Sequence, residues 1–211
     1  RPDTKHTIDC ADDFGVAVKM ITGDHKAIAV ETCRVLGMGT NVLGTDKLPL
    51  MQAADLEKCT TLGRDYGELC HGADGFAQVY PEHKYLIVEA LRQQGFMVGM
   101  TGDGVNDAPA LKRADVGIAV QGATNAAQAA ADIVLTEPGL STIVTAIVTS
   151  RKIFQRMKNF VIYRIACTEQ LLLFFFWSCI FYHPNEYNED WPSYFYIPVI
   201  ALVTITILNP S

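Results

Sequence analysis

Apolar and polar positions divide the chain near residue 159. Up to that point short apolar runs alternate with longer segments of helical spacing. Beyond it charge nearly disappears. Residues 16–21 (VAVKMI) are short, apolar and β-branched, which predicts a strand ending at the turn Thr22-Gly23-Asp24. Residues 25–36 predict a helix with Ile28, Thr32, Val35 and Leu36 on one side. Residues 37–50 are rich in Gly, Asn, Thr and Pro and read as a loop, and residues 55–69 read as partly helical. A strand is expected over 76–79. Pro81 followed by Glu82 then suits the start of a helix reaching about Gln94. Residues 96–100 predict the next strand, ending in Thr101-Gly102-Asp103-Gly104. A short helix over 108–113, strands over 116–120 and 133–135, and an Ala-rich helix over 124–131 complete the pattern. Strands alternating with helices predict an α/β fold, a Rossmann-like parallel sheet with flanking helices. Ligands of such sheets sit beyond the carboxyl ends of the strands, where both TGD turns fall.

The remainder differs in kind. Residues 161–182 (VIYRIACTEQLLLFFFWSCIFY) form a largely apolar run of 22, against the ~20 a membrane helix needs. A second, shorter apolar run follows from residue 194 and is interrupted by Pro198. Arg151, Lys152, Arg156 and Lys158 precede the first run, whereas the connecting loop carries Glu186, Glu189 and Asp190 and no Lys or Arg. That asymmetry places the basic end in the cytosol, and Trp177, Tyr182, Trp191 and Tyr194 cluster towards the outer end as an aromatic belt. The expected plan is a cytosolic domain over 1–145, a basic coupling helix over 146–159 and a transmembrane helix over 160–182. An extracytoplasmic loop over 183–193 and a second, truncated transmembrane helix over 194–209 follow. The lipid bilayer is thus an expected partner, and the chain reads as an internal stretch of a longer integral membrane protein.

Composition adds two exclusions. A net charge of −6 with no basic patch argues against nucleic acid. The six cysteines form no C-x-x-C pair and no Cys/His cluster with zinc spacing, so free cytosolic thiols are expected.

Candidate chemistry concentrates in the loops. Residues 101–111 read TGDGVNDAPAL, with Asp103 and Asp107 on one tight loop and Asn106 beside them. Two hard oxygen donors at a strand end suit Mg2+, and Gly102 and Gly104 allow close backbone approach. Thr22, Gly23 and Asp24 are open to two readings: a phosphoryl cradle at a helix start, or a plain helix cap. Lys84 is likewise either a solvated helix lysine or a cation that offsets phosphoryl charge. His83 reads as a surface or packing residue. Glu169 and Gln170 are polar groups within the apolar run, and such groups are usually functional. Arg164 lies nearer the cytosolic end, where it can snorkel.

A TGD turn, then a lysine, then a GDGxND loop is the later signature of the haloacid-dehalogenase superfamily. The segments MITGD (20–24), YPEHK (80–84), VGMTGDGVNDAPAL (98–111), ADVGIAV (114–120), DIVLTEPGL (132–140) and SRKIFQRMKN (150–159) resemble the P-type ATPases. The phrases at 81–84 and 153–159 resemble the plasma-membrane proton-pump branch. The resemblance covers nearly the whole chain. It implies a pump that transfers the γ-phosphoryl group of ATP to an aspartate with Mg2+, hydrolyses the aspartyl-phosphate and exports a cation, the proton by the branch it resembles, across the plasma membrane. By motif, Asp103 would hold Mg2+, Asp107 and Asn106 would organise the loop, and Thr101 and Gly102 would line the cofactor site. Thr22, Gly23 and Asp24 would contact the phosphoryl group and Lys84 would offset its charge. Another transported cation, or a membrane-tethered phosphatase-like module, are the competing readings.

Two departures qualify this picture. The family's nucleophile lies in an Asp-Lys-Thr-Gly-Thr motif, and no such run occurs here. This stretch alone is therefore expected neither to form a phosphoenzyme nor to turn over ATP. In the proton pumps an Asn-Asp pair in the sixth membrane helix binds the proton, whereas here Asn209 is followed by Pro210. Glu169, Gln170 and Asn209 are the candidate ion-path residues.

Overall fold

The computed structural model describes residues 3–51 and 59–181, with isolated positions 197, 198, 200 and 204. The chain divides into two compact units, Arg1–Ala146 and Ile147–Ser211.

The first unit is α/β. Helix α1 (Thr4–Asp13) precedes β1 (Met20–Ile21), α2 (Lys26–Leu36) and β2 (Val42–Leu43). Then come α3 (Leu62–Gly72), β3 (Gly75–Phe76), α4 (Pro81–Gln93) and β4 (Gly99–Gly102). A 3-10 turn (Val105–Asp107), α5 (Ala108–Arg113), β5 (Val116–Ala119), α6 (Asn125–Ala130) and β6 (Ile133–Val134) follow. Among the described residues six strands make two parallel sheets of three, ordered β1-β3-β2 and β4-β5-β6. Met20 and Val42 both register with Gly75, and Gly99 registers with Val116. Parallel pairing needs long crossovers, which the intervening helices supply.

Helix α4 builds the core. His83 and the run Leu86–Leu91 are all buried, so the helix is covered on more than one side. Leu86, Ile87, Ala90 and Leu91 join Leu62 and Phe76 in one apolar cluster. Val88 joins Met100, Leu111 and Ala119 in a second. Each fully buried large side chain contributes about 1.5–3 kcal/mol.

Several expectations need correction. The first strand is shorter than 16–21 and spans Met20–Ile21; just ahead of it the Lys19 ammonium donates to the carbonyls of His71 and Ala73, both at 2.6 Å. The stretch 37–50 is not all loop: Val42–Leu43 forms the edge strand β2, and Asn41 ahead of it is held by its backbone N–H donating to Asp74 Oδ2 at 2.8 Å. Helix α2 buries Ala29 and Cys33, whereas Ile28 and Val35 are exposed. Small residues let α2 lie close over β3, where Gly75 faces the Cys33 sulfur. Helix α1, absent from the sequence reading, is polar and buries only Thr7 and Ala11. All six cysteines are free thiols. Burial pushes the Cys70 thiol up to about 11, opposed by Lys19.

The second unit contains most of α7 (Ser141–Phe181), one uninterrupted helix of 41 residues. Among the described residues it is the helix long and apolar enough to cross a membrane, with a mean hydropathy of 1.4 over its most apolar window. At 1.5 Å per residue it is about 60 Å long, roughly twice the hydrocarbon core. Residues of the basic segment and of the apolar run therefore belong to the same rod. The expected loop 183–193 and most of the expected second helix, Asn209 included, lie outside the described residues.

Candidate phosphate and metal site

Thr22, Gly23 and Asp24 follow β1. The Thr22 hydroxyl donates to Asp24 Oδ2 at 2.9 Å and accepts from the Asp24 amide at 3.1 Å. These bonds close a local turn, and the cap of α2 is supplied instead by His25, whose Nδ1 accepts from the Ala27 amide. Neither Thr22 nor Asp24 therefore caps the helix.

The chain leaving β3 clasps this turn. Gln78 donates its amide to the Asp24 carbonyl at 2.9 Å, and Val79 donates to the Thr22 carbonyl at 3.1 Å. Gln78 adopts φ 57°, the left-handed region that non-glycine residues rarely take. The expected strand over 76–79 thus stops at Phe76, because this clasp bends the chain.

The clasp leads into α4. Tyr80 donates its amide to His83 Nδ1 at 3.3 Å, fixing the first turn and leaving the ring proton on Nε2. His83 is wholly buried, and Nε2 has no hydrogen-bond partner among the described residues. Burial keeps this imidazole neutral by lowering its pKa, against the opposing pull of Glu82. Of the two places expected for His83, surface or packing, the structure shows the second, three residues after Tyr80 where it closes a capping box.

One residue on, Lys84 Nζ donates to Asp107 Oδ1 at 2.6 Å, with side chains 19% and 8% exposed. Asp107 Oδ2 accepts from the amides of Asp103 at 3.3 Å and Gly104 at 3.4 Å. A Cβ on Gly102 would lie 2.6 Å from Asp107 Cβ, so the loop closes this tightly only around glycine. The Asp103 carbonyl accepts from Thr124 at 2.9 Å, tying the loop to the start of α6. The carboxylate of Asp103 is left exposed, with no hydrogen bond to a described residue; Asn106 and Thr101 are exposed too. Both oxygens of Asp107 are thus occupied, whereas those of Asp103 are open. Among the described residues no three His, Cys, Asp or Glu side chains converge as a metal cluster.

The structure therefore joins Lys84, Asp107 and the Asp103 loop directly. It links them to the Thr22 turn through Val79, Tyr80 and His83. Glu169 and Gln170 are exposed on α7 in the second unit.

An ion-pair network joins α4 to the end of α5 and the residues flanking α5 and β4. Arg113 Nη2 donates to Glu89 Oε1 at 2.8 Å. Arg92 donates to Asp115 Oδ1 at 2.9 Å, and Asp115 Oδ2 accepts the Val98 amide at 2.8 Å just ahead of β4. Burial raises the Glu89 carboxyl, but Arg113, Gln93 and Arg92 together hold it below its ordinary value. Asp115 is likewise raised by desolvation and brought below its ordinary value by the Val98 amide and Arg92. With folded values depressed, both groups stabilise the fold fully above the ordinary carboxylate range of about 4, and that contribution fades as pH falls through the folded values. Glu89→Gln is expected to flatten the acid limb of a stability–pH curve measured by urea unfolding. A limb as steep as that of the parent protein would refute this assignment.

The model of the haloacid dehalogenase-like hydrolase family matches residues 1–115. The chain belongs to that family. It is 56% identical to the "Probable proton ATPase 1B" of Leishmania donovani over 99% of this chain and 22% of that protein. It is 52% identical to "Plasma membrane ATPase 1" of Saccharomyces cerevisiae over 82% of this chain and 18% of that protein. "Plasma membrane ATPase" of Dunaliella bioculata is 47% identical over 99% and 17%. The chain thus spans about a fifth of the length of these relatives.

Proposed function

We propose that this chain is the phosphate-handling part of the phosphorylation domain, with the membrane helix that follows it, of a P-type ATPase exporting protons from the cytosol across the plasma membrane. The observation that carries the proposal is the Lys84–Asp107 pair closing a loop that leaves the Asp103 carboxylate open. The similarity to plasma-membrane ATPases and the long apolar helix support it.

Phosphoryl transfer needs positioning and charge stabilisation more than covalent chemistry from the protein. The residues present fit Mg2+: Asp103 offers hard oxygens at a strand end, where the metal commonly keeps waters and takes one or two carboxylates. Mg2+ bound there would offset negative charge on the phosphoryl oxygens of ATP-derived phosphate. Asp107, expected from sequence as a second metal donor, serves better as the anchor that aims Lys84 and the Asp103 amide. Thr22 and Gly23 present a hydroxyl and an amide to a phosphoryl oxygen, and Asp24 holds the Thr22 hydroxyl. Asn106, Thr101 and Gly102 shape the loop. Glu169 and Gln170 are the proposed ion-path groups on α7, where a polar side chain within an apolar span is costly without a role.

The test is ATP-driven acidification of vesicles holding the full-length protein. Acidification that needs both ATP and Mg2+ is expected. ATP hydrolysis without a pH gradient would replace the proton with another cation, and hydrolysis of simple phosphate esters alone would favour a phosphatase module.

A further inference from the structure

Asp3 begins helix α1, and its carbonyl accepts from the Thr7 amide at 3.0 Å and the Thr7 hydroxyl at 2.9 Å. An Asp in this place ordinarily turns its carboxylate onto its own helix. Here it makes no such bond. Its Oδ2 instead accepts from the amides of Leu140 at 2.8 Å and Ser141 at 3.3 Å, 137 and 138 residues away in sequence. Those amides open α7, so a carboxylate of one helix start caps the positive end of another. Gly139 fits around it: its φ is +106°, and a Cβ there would collide with Asp3 Oδ2. The Leu140 amide, opposed by partial desolvation, lowers the Asp3 carboxyl below its ordinary value, so it is ionised at cytosolic pH. Leu140 and Ile143 also pack on Ile118, Val120 and Leu135. Ile118 lies on β5, the neighbour of the strand that carries the Asp103 loop.

We infer that Asp3 is a positioning residue for energy coupling: it latches α1 to the opening residues of α7, the helix that continues into the apolar run. The latch rests on the pump reading above for its purpose, though not for its existence. The start of α7 is held by apolar contacts of Leu140 and Ile143 and by the Asp3 carboxylate, and the carboxylate connects it to α1.

The test uses the full-length protein with Asp3→Ala, Asp3→Asn and Gly139→Ala. Amide hydrogen exchange over the segment containing Leu140 and Ser141 should be roughly tenfold faster in Asp3→Ala, the scale for losing charge-assisted bonds at a helix start. Asp3→Asn keeps an acceptor and should recover part of the protection, whereas Gly139→Ala should mimic Asp3→Ala. In vesicles, acidification per ATP hydrolysed should fall about fivefold in Asp3→Ala while hydrolysis itself stays within about twofold, because Asp3 bonds to Thr7, Leu140 and Ser141 and to none of the residues placed at the phosphate site. Unchanged exchange would overturn the latch. Faster exchange with an unchanged acidification-to-hydrolysis ratio would overturn its part in coupling. A parent protein that hydrolyses no ATP would overturn the pump reading and the coupling role with it, and the exchange result would still decide the latch.

Discussion

Asp103→Asn in the full-length protein is expected to lower Mg2+-dependent phosphoenzyme formation by about 100-fold or more, the scale of removing one group that stabilises developing charge. The substitution keeps size and shape and removes one negative charge. Asp103 is exposed and its carboxylate has no hydrogen bond to a described residue, so folding should be little affected. Exposed substitutions of this kind usually stay within ~0.5 kcal/mol. The measurement is phosphate incorporation from labelled ATP across a Mg2+ titration, beside an unfolding curve. Normal phosphoenzyme at ordinary Mg2+ would remove Asp103 from the metal site. Loss of phosphoenzyme together with loss of fold would assign it a structural role instead.

Lys84→Met should act on both stability and chemistry. Its ammonium is the ionic partner of Asp107, whose side chain is only 8% exposed. Removing one member of a buried pair leaves the other charge unpaired and costs about 3–5 kcal/mol. Lys84 is itself 19% exposed, so solvent screening places the expected loss at the lower end of that range. The double variant Lys84→Met, Asp107→Asn removes both charges. It should be markedly less destabilised than the sum of its parts, a coupling of order 1 kcal/mol or more. Additive losses would mean that the 2.6 Å contact carries little energy. Phosphoenzyme formation should remain impaired in the double variant, because the cation proposed to offset phosphoryl charge is still missing. Recovery of activity there would reduce Lys84 to a structural partner of Asp107.

Helices α4 and α5 were legible because Pro81 with Glu82, and Ala108 with Pro109, are local start signals that need no distant partner. The parallel arrangement was legible from strand–helix alternation alone. The strand ends were less so. The runs 16–19 and 77–79 are apolar enough for strands, yet Lys19 bonds to the carbonyls of His71 and Ala73, and Gln78 bends to reach Asp24. Strand β2 was hidden because a two-residue edge strand leaves almost no periodicity to read. The buried face of α2 was misjudged for a related reason: close packing over β3 favours Ala29 and Cys33 over the larger Ile28 and Val35.

For the site, sequence by itself determined the cast: the TGD turn, the lysine and the Asp-rich loop, each defined by residue types at short spacing. It also determined the apolar run of α7 and the charge asymmetry before it. The tertiary structure decided the surroundings of each residue. Asp103 and Asp107 are equivalent as letters four positions apart, and they differ because one is exposed and the other sits under Lys84 with both oxygens engaged. His83 and Asp3 look ordinary in sequence. One is wholly buried one residue before Lys84, and the other reaches 137 residues along the chain to the root of α7. The physical reason is the same in each case. Local propensity and spacing act within a few residues, whereas burial and long-range hydrogen bonds exist only once the chain has folded back on itself.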